Sequence, residues 1–372
     1  MKKIALFLTV ALIVGLFSGC AGTPVIYYTD CTCPTGSPEN TPVDATPVET
    51  KPAETTPAET VAPVEGAVKT GLAIVTDISG STSATAEANG AGKFELTLVG
   101  VTVDDNGVIV SCVIDGINTS VSFDATGAIT SDLTVAPQTK NELGENYNMV
   151  AWGGAIAEWD AQAAALAAFA CGKTVDELKS GAIDETGYAP EGSDLATSAS
   201  IYLGGYVAAI EKAVANAKHL GAQGTDKLIL SCTTTIGSSA AATAEAAGNA
   251  ELDVDVTALT MADGVITSCV IDAVQAKVAF DATGTITTDL TVAPQTKTEL
   301  GDAYNMVAWG QAKAEWYEQA ASFASYITGK TAAEVAGIAI TESTKPVEGT
   351  DLATSVSIAI GGFQALIAKA CG

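Results

Sequence analysis

The sequence predicts an α+β protein with two tandem homologous domains, each an antiparallel sheet packed with helices, after a signal peptide and a disordered tether. The first observation is an internal repeat: FDATG at 123–127 recurs at 280–284, and DLATS at 194–198 recurs at 351–355. The second is that each copy contains β-branched stretches in alternation, followed by alanine-rich stretches with helical spacing. We therefore place repeat 1 at residues 69–222 and repeat 2 at residues 223–372.

The N-terminus has the pattern of a signal peptide over residues 1–19. Two lysines precede an apolar run from Ile4 to Phe17, and small residues end at Cys20. Ser18-Gly19-Cys20 resembles the processing box of bacterial lipoproteins, which predicts cleavage before Cys20 and acylation of its thiol, for example with palmitate. The chain would then be lipid-anchored on the outer, extracellular face of the bacterial cell membrane. A plain signal peptide and an uncleaved anchor are the alternatives, although the run is short for a membrane span.

Residues 20–68 have the composition of a spacer. They are rich in Pro, Thr, Glu, Val and Ala, with repeats such as ETKPAETTPAET. Proline stiffens such a segment, and its large apolar residues are too few to form a core. An extended chain of this kind would reach on the order of 100 Å at about 3.1 Å per residue.

The charge and the titratable residues exclude several function classes. The formal net charge is −26, and all 17 basic residues are lysines. A nucleic-acid partner needs a basic surface and is therefore not expected. The single histidine, His219, falls in the AKHLGAQGTDK connection between the repeats, so we expect no metal site and no histidine-based catalysis.

The first part of each repeat predicts a sheet and then a helix. In repeat 1, residues 93–133 contain β-branched residues in alternation, as in a strand. The turn sequences Asp105-Asn106-Gly107 and Asp124-Ala125-Thr126-Gly127 interrupt this pattern. Residues 140–172 then form an alanine-rich segment ending at Gly172, which predicts one helix packed on the sheet. Its helically spaced apolar residues are Ile156, Trp159, Ala163 and Leu166.

A second, shorter helix follows the GKT sequence of each repeat. Thr174 with Glu177, and Thr331 with Glu334, have the spacing of a capping box. GKT itself lacks the earlier glycine of a phosphate-binding loop, so a helix stop followed by a helix cap explains it.

The last part of each repeat combines the DLATS motif with an apolar segment. We expect the motif to open a helix that runs on through Gly204-Gly205 or Gly361-Gly362. A hydroxyl at such a helix start lies beside free amides and the positive end of the helix dipole, which suits an attached phosphodiester.

The order of sheet, Glu-Trp helix, GKT helix and D-x-x-[ST]-x-x-[ST] resembles the FMN-binding domain family. The likeness is greatest to tandem-domain lipoproteins of extracellular electron transfer, and it covers about 150 residues of each copy. In that family the motif is typically Asp-x-x-(Ser/Thr)-Gly-Ala-Thr, and a flavin transferase esterifies the final hydroxyl with the phosphate of FMN taken from FAD. The resemblance implies that Asp194 and Asp351 match the leading Asp, that Thr197 and Thr354 match the first hydroxyl, and that Ser200 and Ser357 are the acceptors. The chain departs from the family pattern at Ser198 and Ser355, which replace Gly, and at Val356, which replaces Ala.

The function implied by this resemblance is an electron carrier rather than a stand-alone enzyme. Each repeat would hold one covalent FMN and relay electrons from a quinone-linked membrane donor to an extracellular acceptor. In the alternative interpretation DLATS is a simple helix N-cap by Asp or Thr, and the chain is a cofactor-free structural, adhesive or solute-binding surface lipoprotein.

Other polar and aromatic residues are weaker candidates for a site. Glu158-Trp159, Glu315-Trp316, Tyr147 and Tyr304 could face a flavin ring, but aromatic residues at helical spacing more often form core. Lys140 and Lys297 could approach a phosphate, but solvated surface is the better account. Asp115 and Asp272 follow predicted strands and could bind a cation, but turn polarity explains them better.

Overall fold

The computed structural model describes residues 66–372. The expected signal peptide, the acylated Cys20 and nearly all of the expected tether lie outside the described residues. Within residues 66–372, no helix combines the length and the apolarity needed to cross a membrane.

The described chain forms seven strands, twelve α-helices and two short 3-10 turns. We call residues 67–223 the first half and residues 227–372 the second half. The strands are β1 Ala67–Asp77, β2 Gly90–Val103, β3 Ile109–Phe123, β4 Lys218–Gln223, β5 Lys227–Thr235, β6 Gly248–Ala262 and β7 Val265–Phe280. The helices of the first half are α1 Lys140–Leu143, α2 Met149–Gly153, α3 Trp159–Ala170, α4 Val175–Ala182, α5 Asp194–Ser198 and α6 Gly204–Asn216. Those of the second half are α7 Lys297–Leu300, α8 Met306–Gly310, α9 Trp316–Ile327, α10 Ala332–Ala336, α11 Asp351–Ser355 and α12 Gly361–Cys371.

The strands form two antiparallel sheets, which confirms the α+β class. One sheet has the order β3-β2-β1-β4 and the other the order β5-β6-β7. The turn predicted at Asp105-Asn106-Gly107 joins β2 to β3, and the Asp104 carboxylate accepts the amides of Asn106 and Val108 there. The turn predicted at 124–127 is present too, but beyond it only a single bridge forms, between Phe123 and Ile129.

Strand β4 occupies the segment expected to be a connection between the repeats. It pairs antiparallel with β1, with Lys69 opposite His219 and Thr70 opposite Lys218. Only Ala222 of this strand is buried. An edge strand with one buried side chain has no alternating pattern, so the sequence gives little sign of it.

The protein has four layers, with helices outside and the two sheets face to face between them. The central core lies between the sheets and includes Phe94, Ile117, Val254 and Val278, all buried. A second core packs the other face of the first sheet against α3 and α6, and a third packs β7 and its neighbours against α9 and α12. The two halves therefore share one core.

The contacts between the halves come in reciprocal pairs. Ala84 N donates to Gly284 O at 2.8 Å, and its counterpart Ala242 N donates to Gly127 O at 2.8 Å. In the same way Lys212 forms an ion pair with Glu299 at 2.6 Å, and Lys369 forms one with Glu142. The rings of Phe123 and Phe280, which are equivalent in the repeat, stack on each other with centroids 3.8 Å apart. The two halves are therefore related by an approximate two-fold axis that passes between the two phenylalanine rings.

The single helix predicted over 140–172 is broken into three. Gly144, Asn148 and Gly154 all have positive φ, at 49°, 62° and 61°, which interrupts the helical path. The core-facing part, α3, begins only at Trp159, and Ile156 lies outside it with 54% of its surface exposed. The predicted capping boxes at Thr174 and Thr331 are confirmed.

Candidate functional site

The DLATS motif of each half forms one short helix that ends before the candidate acceptor. Helix α5 spans Asp194–Ser198 and α11 spans Asp351–Ser355, and the next residues, Ala199 and Val356, are extended. The apolar helices begin later, α6 at Gly204 and α12 at Gly361. The expectation that Ser200 and Ser357 lie at the start of a helix is therefore wrong. They lie in the connection after the C-terminal end of the short helix, so the dipole of that helix does not favour a phosphate at either hydroxyl.

A buried glutamine determines the backbone at each candidate acceptor. Gln162 Oε1 accepts the amide of Ser200 at 2.8 Å and that of Ile201 at 3.2 Å. Because these amides bond to the glutamine, they are not available to the carbonyls of α5, and the helix cannot continue. Ser200 Oγ lies 3.3 Å from the same oxygen.

The second half repeats this arrangement almost atom for atom. Gln319 Oε1 accepts the amides of Ser357 at 2.7 Å and Ile358 at 3.2 Å, and it lies 3.2 Å from Ser357 Oγ. Each glutamine also donates its Nε2 at 2.7 Å to a carbonyl of the loop that precedes its own helix, at Ala157 or Ala314. Both glutamine side chains are fully buried, whereas Ser200 is exposed and Ser357 is half-buried.

Neither Gln162 nor Gln319 is among the site residues that the sequence predicts, although the sequence contains a signal for them. Both lie at the same place in the repeat, on the buried face of an alanine-rich helix. A buried amide needs hydrogen-bond partners, so a polar residue on such a face in both copies indicates a structural or functional contact.

The other motif residues do not surround the acceptor. Thr197 Oγ1 donates to Asp194 O at 2.7 Å, and Thr354 Oγ1 donates to Asp351 O at 2.6 Å, so both hydroxyls bond back into their own helix. Asp194 and Asp351 are exposed. The N-cap of α5 is Ser193, whose side chain accepts the amide of Ala196 at 3.2 Å. Neither Asp194 nor Thr197 caps the helix, so the simple N-cap interpretation of these two residues is wrong as well.

A surface groove of about 480 Å³ runs beside the second motif. It is lined by Ser322, Ser325 and Tyr326 of α9 and by Asp351, Leu352 and Ser355 of α11, with Ala321. Lys313 Nζ donates to Ala353 O of the same motif at 2.5 Å, which places a positive charge beside α11. The repeat equivalent of Lys313 in the first half is Ile156, so the two motifs differ in their electrostatic surroundings.

The aromatic residues of the Glu-Trp helices belong to the core. Trp159 is 2% exposed and Trp316 is 5% exposed, so neither presents a ring face to solvent. Lys140 Nζ lies 4.8 Å from the centroid of Trp159 and 5.3 Å from that of Tyr147. Lys297 has the same relation to Trp316 and Tyr304, at 4.9 Å and 5.4 Å. These lysines make cation–π contacts and are not simply solvated.

Two other tryptophans are almost fully exposed. Trp152 on α2 is 88% exposed, and its repeat equivalent Trp309 on α8 is 86% exposed. The Glu158 carboxylate fixes α2 by accepting the amides of Met149 at 2.8 Å and Val150 at 3.1 Å. The sequence signal for these tryptophans is the motif MVAWG, which is present in both copies.

Asp115 and Asp272 lie within strands and not after them. Asp115 is in β3, where its carboxylate accepts the amides of Gly116 at 2.7 Å and Asn141 at 3.1 Å, and Asp272 makes the equivalent contacts in β7. Burial raises the pKa of Asp115 to about 6 and also raises that of Asp272. Turn polarity is therefore the wrong account, because Asp115 is buried, Asp272 is half-buried, and each carboxylate holds a short helix against the sheet.

The remaining titratable groups supply little chemistry. His219 bonds to Asp105 at 2.9 Å on the surface. Burial raises the pKa of the Cys269 thiol to about 12 and raises that of Cys232 further, so neither forms a thiolate readily. Over residues 66–372, no three His, Cys, Asp or Glu side chains are grouped in a way that could hold a metal ion.

Comparison with protein-family models, with curated proteins and with solved structures gives no match.

Proposed function

We propose that this chain is a surface-anchored electron carrier that holds one covalent FMN in each half, at Ser200 and at Ser357. The observation that supports this is the repeated presentation of the two hydroxyls. In both halves a fully buried glutamine holds the backbone of the serine at the same distances, within about 0.1 Å. Each serine follows a buried, extended residue, and Ser200 is exposed while Ser357 is half-buried. We expect a modifying enzyme to reach the connection that carries them.

The attachment is a phosphoryl transfer that a flavin transferase would carry out. The Ser200 or Ser357 Oγ forms a bond to the FMN phosphorus of FAD, the phosphoanhydride bond to AMP breaks, and AMP leaves with its electron pair. The hydroxyl proton passes to a base of the transferase. This protein contributes the positioned acceptor, because Gln162 or Gln319 fixes the backbone that carries the hydroxyl.

The acidic protein would hold the added phosphate without arginine. In the second half Lys313 lies at the motif and offsets part of the negative charge. In the first half the exposure of Ser200 leaves the phosphate in water, where its charge is solvated. FMN supplies the redox chemistry when it is attached.

Each half would act as one flavin domain of a tandem pair. A lipid on Cys20 would anchor the chain to the outer face of the membrane, and the segment up to residue 68 would give the pair its reach. Electrons would enter from a quinone-linked membrane donor and leave to an extracellular acceptor.

The test is coexpression of the chain with a flavin transferase and a source of FAD. We expect a yellow protein, flavin fluorescence that survives a denaturing gel, and modified peptides that contain Ser200 and Ser357. The substitutions Ser200→Ala and Ser357→Ala should each remove one flavin, and the double variant should be colourless.

The matched controls are Ser198→Ala and Ser355→Ala, which change hydroxyls of the same motif that bond back to α5 and α11. Both controls should keep two flavins. A colourless wild-type chain with both peptides unmodified would contradict the proposal and favour the cofactor-free surface module. Modification at Thr197 or Thr354 would support the flavin-carrier function but assign the acceptor hydroxyl to threonine in place of Ser200 or Ser357.

A further inference from the structure

A cleft of about 850 Å³ lies between the two halves. One wall comes from β1, α6 and β4 of the first half, and the other from β7, α7 and α9 of the second half. We call it the interhalf cleft. Its volume falls in the range of about 300–1,000 Å³ that is typical of small-molecule sites, and such sites are common where two units meet.

Strand β4 gives the interhalf cleft a wall that the opposite side of the molecule lacks. The first sheet ends in β4, whereas the second sheet ends in β5 with no further strand among the described residues. Gly221 of β4 approaches β7 so closely that a Cβ atom there would lie 2.4 Å from Thr267 O. This backbone contact holds β4 against β7 beside the cleft.

The base of the interhalf cleft differs from its repeat equivalent. Thr70 Oγ1 lies 2.6 Å from Ser268 Oγ, and Ser268 Oγ lies 2.7 Å from Thr260 Oγ1, so buried hydroxyls connect the two sheets. The residue equivalent to Thr70 in the second half is the buried Leu228. The approximate symmetry of the molecule is therefore broken at this cleft.

The walls define the chemistry of a ligand. The apolar residues that the strands contribute are Leu72, Ile74 and Ile271, each at most 5% exposed, and the more open Val270 and Leu220. The helices contribute hydrogen-bonding groups, among them Asn216, Thr298 and Ser325. Of the charged lining groups, Lys212 and Glu299 already neutralise each other at 2.6 Å. The other two, Lys218 and Asp272, are of opposite sign, so the lining has no net charge if His219 is neutral.

We propose that the interhalf cleft is a binding site for an uncharged, mainly apolar ring compound with hydrogen-bonding groups along one edge. The apolar strands cover the faces of the ring system, and the helix side chains bind its polar edge. Neither Ser200 nor Ser357 lines the cleft, although Ala321 and Ser325 border both the cleft and the groove beside the second motif. The proposed binding does not depend on flavin attachment.

The test uses the neutral dye N-phenyl-1-naphthylamine, whose emission rises in apolar surroundings, with the full chain. We expect saturable binding, which Ala321→Trp on α9 weakens roughly tenfold or more by filling the cleft. Ala215→Trp fills it from α6 on the opposite wall and should have the same effect. Both alanines are exposed cleft residues, so the larger side chain need not disturb the core.

The matched control is Ala164→Trp, which introduces the same indole at the repeat-equivalent position on α3 and should bind the dye like the wild type. Hydrogen exchange of the wild-type chain gives a second readout that needs no variant. Bound dye should slow exchange in residues 218–221 and 317–328 and not in 160–171. Dye binding that neither cleft variant reduces, or protection that is absent from these segments, would overturn the proposal, as would a wild-type chain with no saturable binding.

Discussion

Gln162 and Gln319 show how one side chain determines the local structure of a candidate site. Each is fully buried, accepts two amides beyond the DLATS helix and donates to the loop before its own helix. A buried polar group with all its bonds made contributes modestly to stability, but its partners are costly to leave unpaired. The acceptor segment and the α2–α3 loop are therefore linked through one amide.

The substitution Gln162→Leu should separate this role from general stability. The amides of Ser200 and Ile201 would lose their acceptor, and we expect the free energy of unfolding in urea to fall by about 1–3 kcal/mol. Under the proposed function, flavin at Ser200 should decrease while flavin at Ser357 stays unchanged. Gln319→Leu should give the reverse pattern, and equal loss at both serines would contradict a local positioning role.

Asp115 should make stability depend on pH. Its pKa of about 6 lies above the ordinary value of 3.8 because the carboxyl is buried, so the folded state favours the protonated form. The associated stability is fully present below about pH 4 and is lost as the pH rises through about 6, at a cost of about 3 kcal/mol. Asp115→Asn keeps the acceptor for Gly116 and Asn141, so it should match the wild type at pH 4 and be more stable at pH 8.

The control for this prediction is Asp124→Asn. Hydrogen bonds from the hydroxyl and amide of Thr126 lower the pKa of Asp124, which gives the opposite sign. Its stabilisation is present above the ordinary pKa and is lost as the pH falls, so this variant should be less stable than the wild type at neutral pH and converge with it in acid. Urea unfolding between about pH 2 and pH 8 measures both effects, because the Asp124 contribution is lost only below its ordinary pKa.

At the scale of elements, each short helix is fixed by its ends. Thr174 accepts the amide of Glu177, and the Glu177 carboxylate accepts the amide of Thr174 at 2.8 Å. The helix that follows has only two buried residues, Leu178 and Ala182, so the cap supplies a large part of its stability.

Removal of this cap should therefore be measurable. Thr174→Ala should lower the free energy of unfolding by about 1 kcal/mol, whereas Thr174→Ser should keep most of it. Thr331→Ala tests the same contact before α10 in the second half. Thermal and urea denaturation of the wild type and the three variants measure the difference. A Thr174→Ser variant as unstable as Thr174→Ala would contradict a capping role.

The elements also show what a sequence pattern can and cannot predict. The hairpin of β2 and β3, the core face of α3 and both capping boxes follow from alternation, helical spacing and cap chemistry. Strand β4 has no alternating pattern, and α1–α3 are separated by residues of positive φ, of which Asn148 is not a glycine. The candidate site likewise has features that the sequence predicts and features that it does not. The repeat and the two candidate serines come from the sequence, but the end of α5 depends on Gln162, which lies 38 residues before Ser200.

At the scale of the whole molecule, the two halves pack as the subunits of a two-fold dimer do. The stack of Phe123 on Phe280 and the reciprocal ion pairs are contacts that each half could make with a second copy of itself. An interface of this self-complementary kind is typical of homodimers.

The fragment 67–223 should therefore form a homodimer when it is expressed alone. Burial of its inner sheet face requires a partner, and the paired contacts remain available, with Lys212 of one copy meeting Glu142 of the other. Sedimentation measures the mass, and Phe123→Ala should weaken the dimer because it removes both stacked rings. A folded, monomeric fragment would show that the first half closes its own core.

The shared core also predicts one unfolding transition for the described part of the chain. Its largest buried side chains include Phe94 and Phe123 of the first half and Phe280 of the second, in the same cluster. Calorimetry of the wild-type chain should give a single cooperative peak, because loss of either half exposes the inner sheet of the other.

The position of β1 has a mechanical consequence. The chain enters the described structure at Ala67, the first residue of a strand that is hydrogen-bonded to β2 on one side and β4 on the other. If the N-terminal segment is anchored as proposed, a load on the protein is transmitted through Ala67. A pull along β1 would shear both ladders at once and would not peel a single edge strand away. The attachment point is thus at an interior strand, where two hydrogen-bonded ladders share the load.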